Sequence, residues 1–128
     1  MVLDTSAVIA VLQSESDADR VITAIERAEV LTMSAASVLE ASIVLFARYG
    51  DFGDRELDLF LHRLQVRVVP VTAEHVEMAR SGYRRFGKGQ YPAGLNFGDC
   101  FSYALAISLG EPLLFTGDDF SKTDVSVA

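Results

Sequence analysis

A three-layer α/β/α fold with a central parallel sheet is what this sequence predicts, and three observations carry the prediction. Short β-rich runs, Val2-Leu3, Val30-Leu31-Thr32-Met33, Val66-Arg67-Val68-Val69 and Pro112-Leu113-Leu114-Phe115-Thr116, are spread along the chain. Between them lie longer segments whose apolar residues recur at helical spacing, the alternation that builds a parallel sheet covered on both faces. And 128 residues, half of them hydrophobic and 23% charged, suffice for one domain with a core of its own.

In chain order, Val2 and Leu3 suit a central strand, and Thr5 or Ser6 suits the cap of a helix over 7–12. Asp4 then stands at the carboxyl end of the first strand, the edge at which open α/β sheets bind ligands. A second helix, over about 17–28, carries Val21, Ile22 and Ile25 as its apolar stripe, and residues 30–33 follow as a strand. A long helix opens at Ser34-Ala35-Ala36-Ser37-Val38-Leu39-Glu40 and runs to Tyr49, where Gly50 ends it. Val38, Leu39, Ala41, Ile43, Val44, Leu45 and Phe46 leave it little polar face, so it is expected to be largely buried, with Glu40 its one acid. Glu40 alone reads equally as a surface position.

Asp54 is expected to cap a helix through Leu64, with Leu57, Phe60, Leu61 and Leu64 inward. Residues 66–71 read as a strand, Pro70 marking its end or a sheet edge. Thr72 starts a helix to Phe86, and Gly87-Lys88-Gly89-Gln90-Tyr91-Pro92-Ala93-Gly94 is the one clear loop. The stretch from Leu95 to Leu109 is apolar on nearly every side and predicts a buried helix, with Asn96 as N-cap and Gly110 as stop. Residues 112–116 form the last strong strand, and Val125-Ser126-Val127 adds a short one.

Composition narrows the function. The formal charge of −7, from 11 basic and 18 acidic residues, argues against coating nucleic acid by bulk electrostatics, although a local basic patch still holds phosphates. A lone cysteine, Cys100, excludes an internal disulfide framework and fits a reducing compartment; on its apolar helix it reads as buried filler. No signal peptide and no bilayer-spanning run is visible, so the expected location is cytoplasmic, with no membrane partner.

Acids then stand out in apolar company: Asp4 after the first strand, Glu40 and Asp99 early in their helices, and Asp118 with Asp119 after the last strong strand. Asp99 read alone is a capping box with Asn96. Taken together, all fall at one edge of a doubly wound sheet. Converging carboxylates repel, and a hard divalent cation with oxygen ligands, Mg²⁺ or Mn²⁺ rather than Zn²⁺, relieves them. His62 and His75 lie far from the acids in sequence and read as surface residues. A carboxylate-bound metal suits phosphodiester cleavage. Thr5, Ser6, Ser37, Asn96 and Thr116 each lie within a few residues of an acid and are expected to orient carboxylates or water from behind. Arg80, Arg84, Arg85 and Lys88, beside Tyr83, Phe86 and Tyr91, form a candidate RNA-binding patch. A solvated helix end with dipole-complementing charge is the other reading.

Four motifs in order, Val2-Leu3-Asp4-Thr5-Ser6-Ala7, Ser37-Val38-Leu39-Glu40, Asn96-Phe97-Gly98-Asp99 and Leu114-Phe115-Thr116-Gly117-Asp118-Asp119-Phe120, resemble a PIN domain. More closely, the chain resembles the VapC toxins of bacterial VapBC toxin–antitoxin pairs, over essentially its whole length. The resemblance implies a single PIN-like domain over 1–128 and a Mg²⁺-dependent endoribonuclease of tRNA or rRNA. It also implies a homodimer, inhibited by a VapB antitoxin that wraps the toxin and inserts a side chain into the acidic pocket. Asp4, Glu40 and Asp99 carry over as metal-binding and catalytic carboxylates. For the fourth acid both Asp118 and Asp119 fit, and Asp118 is favoured because it directly follows Thr116-Gly117. Two other readings of an acidic doubly wound domain are a phosphoryl-transfer or phospho-receiver domain and a non-catalytic binding module. Ser6 stands where a phosphatase of the haloacid-dehalogenase type needs a second Asp, and Gly117-Asp118 where a receiver needs a Lys. A module without chemistry need not keep costly buried acids.

Overall fold

A computed structural model describes residues 1–90 and 92–128; Tyr91, which the sequence places with the basic patch and its loop, lies outside the described residues. Among the described residues four strands, β1 (Val2–Leu3), β2 (Thr32–Ser34), β3 (Arg67–Val69) and β4 (Leu113–Leu114), form one sheet in the order β3-β2-β1-β4. Every pairing is parallel, with Val2 opposite Thr32 and Leu113, and Met33 opposite Val68. Parallel neighbours need crossovers, and among the described residues six helices supply them: α1 (Thr5–Leu12), α2 (Ala18–Arg27), α3 (Ala35–Tyr49), α4 (Asp51–Arg63), α5 (Ala73–Phe86) and α6 (Phe97–Leu109).

The two residues of β1 show how the layers are made. Side chains alternate along a strand, so Leu3 and Val2 enter opposite cores. Leu3 joins Val8, Met33, Leu45 and Leu57 under α1 to α4. Val2 joins Tyr103, Leu105, Leu113 and Phe120 under α6. Both are fully buried, as expected of a central strand in a three-layer fold. No helix among the described residues is long and apolar enough to cross a membrane.

Several boundaries differ from the sequence reading. Asp4, not Thr5 or Ser6, caps α1: its Oδ2 accepts from the Ser6 amide at 2.9 Å. The two hydroxyls are used elsewhere, Thr5 Oγ1 donating to the Ser37 carbonyl and Ser6 Oγ to Asp4 itself. Helix α4 begins at Asp51 rather than behind Asp54, because Gly50, at φ 61° and ψ −143°, turns the chain within one residue in a conformation that side chains resist. Asp54 accepts instead from Ser42 Oγ on α3.

The expectation of a buried α3 fails on one side. Its inner row is Ser37, Ala41 and Leu45, while Leu39, Ile43 and Phe46 are 61%, 60% and 54% exposed. Helices α1, α4 and α6 contact α3 and leave that outer stripe to solvent. Val30 and Leu64, expected in a strand and in the core, are both exposed, since β2 starts only at Thr32 and α4 stops at Arg63. The strand expected at 125–127 is reduced to a single parallel bridge between Leu113 and Val127.

Candidate active site at the carboxyl edge of the sheet

Asp4 follows β1 directly, so its backbone is fixed by the sheet: its amide donates to Leu114 O of the neighbouring strand at 3.0 Å. The residue is 3% exposed. Oδ2 accepts from the Ser6 amide (2.9 Å) and Ser6 Oγ (2.6 Å), and Oδ1 accepts from Ser102 Oγ at 2.6 Å. Ser6 Oγ in turn accepts from the Thr116 amide at 3.0 Å, which ties the segment after β4 to the same carboxylate.

Asp99 occupies the first turn of α6. The capping box read from the sequence is present: Asp99 Oδ2 accepts from the Asn96 amide at 3.0 Å, and Asn96 Oδ1 from the Asp99 amide at 2.9 Å. A cap explains the helix start but not the electrostatics. Burial pushes the Asp99 carboxyl up to about 8; the Asn96 amide opposes this, while the Asp4 charge and the Asp119 carboxyl within hydrogen-bonding reach add to it. Asp99 is therefore both a cap and the centre of an acid group.

The other acids arrive from separate elements. Glu40, part-buried in the second turn of α3, lies against the backbone of Gly98, so close that a Cβ there would stand 2.0 Å from Glu40 Oε2. That places its carboxylate over the N-terminal turn of α6. Of the pair after β4, Asp119 is the one whose carboxyl meets Asp99. Asp118, the favoured fourth acid, is exposed, as Asp119 is, and the Asp118 carbonyl accepts from the Ser121 amide and hydroxyl in a tight turn. Order in the sequence does not decide which of two adjacent acids reaches Asp99.

Each supporting polar residue read from the sequence bonds into this edge, Thr116 through its amide rather than its side chain. One residue escaped that reading. Ser102 is fully buried on α6, donates to Asp4 Oδ1 and lies 3.1 Å from Ser37 Oγ. The signal was available: a serine one helical turn beyond Asp99, on a helix with almost no polar face, must have a polar partner.

The donor set is entirely oxygen, which suits a hard divalent ion and not zinc. Burial first, and then the neighbouring acids Asp4 and Asp119, raise Asp99, and a cation between the carboxylates would offset both. Among the described residues no three acidic, histidine or cysteine side chains already stand at one ion's ligand distances. Asp4 and Asp99 are instead held by serine and backbone donors. His62 is exposed near the end of α4 and His75 part-exposed in the first turn of α5. Cys100 is buried, its Sγ donating to Asn96 O at 3.2 Å; burial and then the Asp99 charge push its thiol up, away from nucleophilic use.

Beside the acids, a groove of about 570 Å³ opens between α5 and α6, lined by Val76, Tyr83, Phe97 and Phe101 with Arg80 and Arg84 among them. The basic patch thus divides. Arg80 and Arg84 share the groove face, Arg80 also pairing with Glu77 at 3.0 Å. Arg85 turns the other way, to Asp124 at 3.3 Å and over the Phe86 ring. Lys88 is exposed in the following loop.

Comparison with known proteins agrees with this architecture. The family model described as "PIN domain" matches residues 1–126. Ribonuclease VapC30 of Mycobacterium tuberculosis H37Rv is 52% identical over 126 residues, covering 98% of this chain and 96% of that protein. Among solved structures, Mycobacterium tuberculosis VapC20, described as a sarcin-ricin loop cleaving toxin, superposes with a TM-score of 0.81 at 21% identity, over 99% of this chain and 97% of that one. VapBC2 from Rickettsia felis, bound to a DNA fragment from their promoter, gives 0.75 at 14% identity over 98% and 94%.

Proposed function

The chain belongs to the PIN-domain family, among its VapC ribonucleases, and on that footing we propose that it is the toxin of a VapBC pair, an endoribonuclease dependent on Mg²⁺ (with Mn²⁺ able to replace it) that cuts structured RNA such as tRNA or rRNA in the cytoplasm. The observation that carries the mechanism is the company of Asp99, a buried carboxyl with Asp4 and Asp119 close enough to raise it. Neither a phospho-receiver nor a non-catalytic module finds support among the relatives.

Asp4, Glu40, Asp99 and a fourth acid are the residues that would hold the ion, and the contact with Asp99 supports Asp119 over Asp118 as the fourth. When bound, the ion supplies a water acidic enough to attack and neutralises charge on the phosphate. The rest is the protein's own work. Asp4 keeps a fixed rotamer through Ser6 and Ser102. Asn96 fixes Asp99 against the α6 terminus, and Thr5 and Ser37 tie α3, which carries Glu40, to α1. Arg80, Arg84 and Lys88 supply phosphate contacts beside the acids, while Arg85 is engaged with Asp124.

A VapB-type antitoxin is the expected inhibitor, and a homodimer the expected assembly. The exposed apolar stripe Leu39, Ile43 and Phe46, together with Phe97 at 79% exposure, supports an interface on α3 and the start of α6. The test is direct. Purified protein is incubated with total tRNA and rRNA and Mg²⁺ or Mn²⁺. Cleavage is expected, and EDTA or Asp99→Asn is expected to abolish it. Cleavage that survives both removes the metal mechanism.

A further inference from the structure

Three carboxylates that must act together come from three separate elements: Asp4 from the end of β1, Glu40 from α3 and Asp99 from α6. A buried hydroxyl pair joins those elements behind the acids. Ser102 lies one helical turn after Asp99 and is fully buried, and Ser37, one turn before Glu40, is buried to 1%. Their oxygens are 3.1 Å apart, and Ser102 Oγ is 2.6 Å from Asp4 Oδ1.

Counting protons fixes the direction of this chain. A carboxylate oxygen only accepts, so the single Ser102 proton goes to Asp4 Oδ1. Ser102 then has only lone pairs for Ser37, and Ser37 must donate. The order is Ser37 Oγ–H to Ser102 Oγ–H to Asp4 Oδ1, a neutral hydrogen bond feeding a charge-assisted one. Ser37 is itself held, since its carbonyl accepts from Thr5 Oγ1 at 3.1 Å. Meanwhile Ser6 occupies Oδ2, so the Asp4 rotamer is gripped from both oxygens.

We infer that Ser102 is a positioning residue of the nuclease centre, a buried relay that sets the Asp4 carboxylate relative to Asp99 and passes the constraint on to the helix of Glu40 through Ser37. The inference rests on the nuclease reading above but concerns a residue that neither motif nor composition singled out. Groups that act behind a metal-binding side chain change affinity or rate by about 10- to 100-fold when lost.

The experiment reads Mn²⁺ binding to the metal-free chain by electron paramagnetic resonance, alongside RNA cleavage. Ser102→Ala is expected to weaken Mn²⁺ binding by about 10- to 100-fold. Ser37→Ala removes only the upstream bond and is expected to lose less. Because Ser37 acts through Ser102, the double variant is expected to match Ser102→Ala alone; additive losses would overturn the relay. Ser102→Thr keeps the hydroxyl but adds a methyl to a full core, so its melting temperature falls while its Mn²⁺ affinity stays near wild type. That opposition separates positioning from mere packing. Should Ser102→Ala fail to fold, Ser37→Ala and Ser102→Thr carry the test, and an unchanged affinity in Ser37→Ala or a lost one in folded Ser102→Thr overturns the inference. A wild-type chain that neither binds Mn²⁺ nor cuts RNA sinks the nuclease reading instead. One that does both, with Ser102→Ala indistinguishable from it, sinks only the role of Ser102.

Discussion

Replacing Gly98 with alanine should separate the acid site from the stability of the fold. A Cβ at Gly98 would lie 2.0 Å from Glu40 Oε2, 2.7 Å from its Cδ and 3.0 Å from Oε1, whereas ordinary contact begins at 3.4 Å. The oxygen must therefore retreat by roughly 1.4 Å, and as the end of a flexible side chain it can do so cheaply. The backbone gains a little, since Gly98 lies in the first turn of α6, where alanine is favoured over glycine by at most the helix-interior figure of about 0.5–1 kcal/mol. Gain and displacement nearly offset, so the melting temperature should move by no more than about 4 °C. Catalysis has no such tolerance, because a misplacement of about 1 Å costs on the order of 100-fold. The assay pairs differential scanning calorimetry with cleavage of a labelled RNA under saturating Mg²⁺. The expected result is a folded protein with kcat down about 100-fold and binding of RNA little changed. Wild-type cleavage by a folded Gly98→Ala chain would refute the assignment of Glu40 to the site. A fall in melting temperature beyond 10 °C, on the order of 3 kcal/mol, would refute the claim that the Glu40 side chain retreats cheaply.

The remaining predictions touch other parts of the same edge. Asp99 has its folded pKa raised above the unfolded value, so below about 4 it is protonated in both states, and the stability it contributes is lost as pH rises towards about 8. In EDTA the melting temperature should fall between pH 5 and pH 8, and Asp99→Asn should flatten that slope; a wild-type slope of opposite sign in that window would contradict the assignment. Arg80→Ala with Arg84→Ala should weaken RNA binding and reduce the slope of log K against log salt by about 0.7 for each phosphate no longer neutralised. Arg85→Ala should leave that slope alone, because Arg85 serves Asp124, and should cost no more than about 1 kcal/mol of stability as an exposed pair. If the proposed homodimer forms through the outer stripe of α3, light scattering should give a dimer mass for the wild type and a monomer mass for a folded Ile43→Asp. A wild-type dimer whose mass Ile43→Asp leaves unaltered would move the interface elsewhere, and a monomeric wild type would refute the homodimer.

How far the sequence reaches is clearest where it stops. Strand and helix alternation is a long-range pattern, and it yields the parallel sheet, the two cores and the edge at which Asp4, Glu40 and Asp99 gather. Asn96 and Gly110 bracket α6 as capping chemistry requires, with Gly110 in the left-handed conformation at φ 63°. What the pattern misreads or leaves open are choices between neighbours. Thr5, Ser6 and Asp4 all suit a helix cap, and only the demand of Ser37 and Asp4 for hydroxyl donors selects among them. Asp118 and Asp119 differ by one residue of a tight turn whose geometry is set by Ser121. The α3 stripe looks like core because hydrophobicity records that a face wants burial without saying whether its own chain or another provides it. Ser102 marks the same limit from the other side: helical spacing put it below Asp99, but its value depends on Asp4, 98 residues away, and on Ser37 from a third element. The carboxylates are thus announced by their cost, since a buried acid must be explained. The hydroxyls that hold them are small, cheap to bury once paired, and so become visible only when the elements are in place.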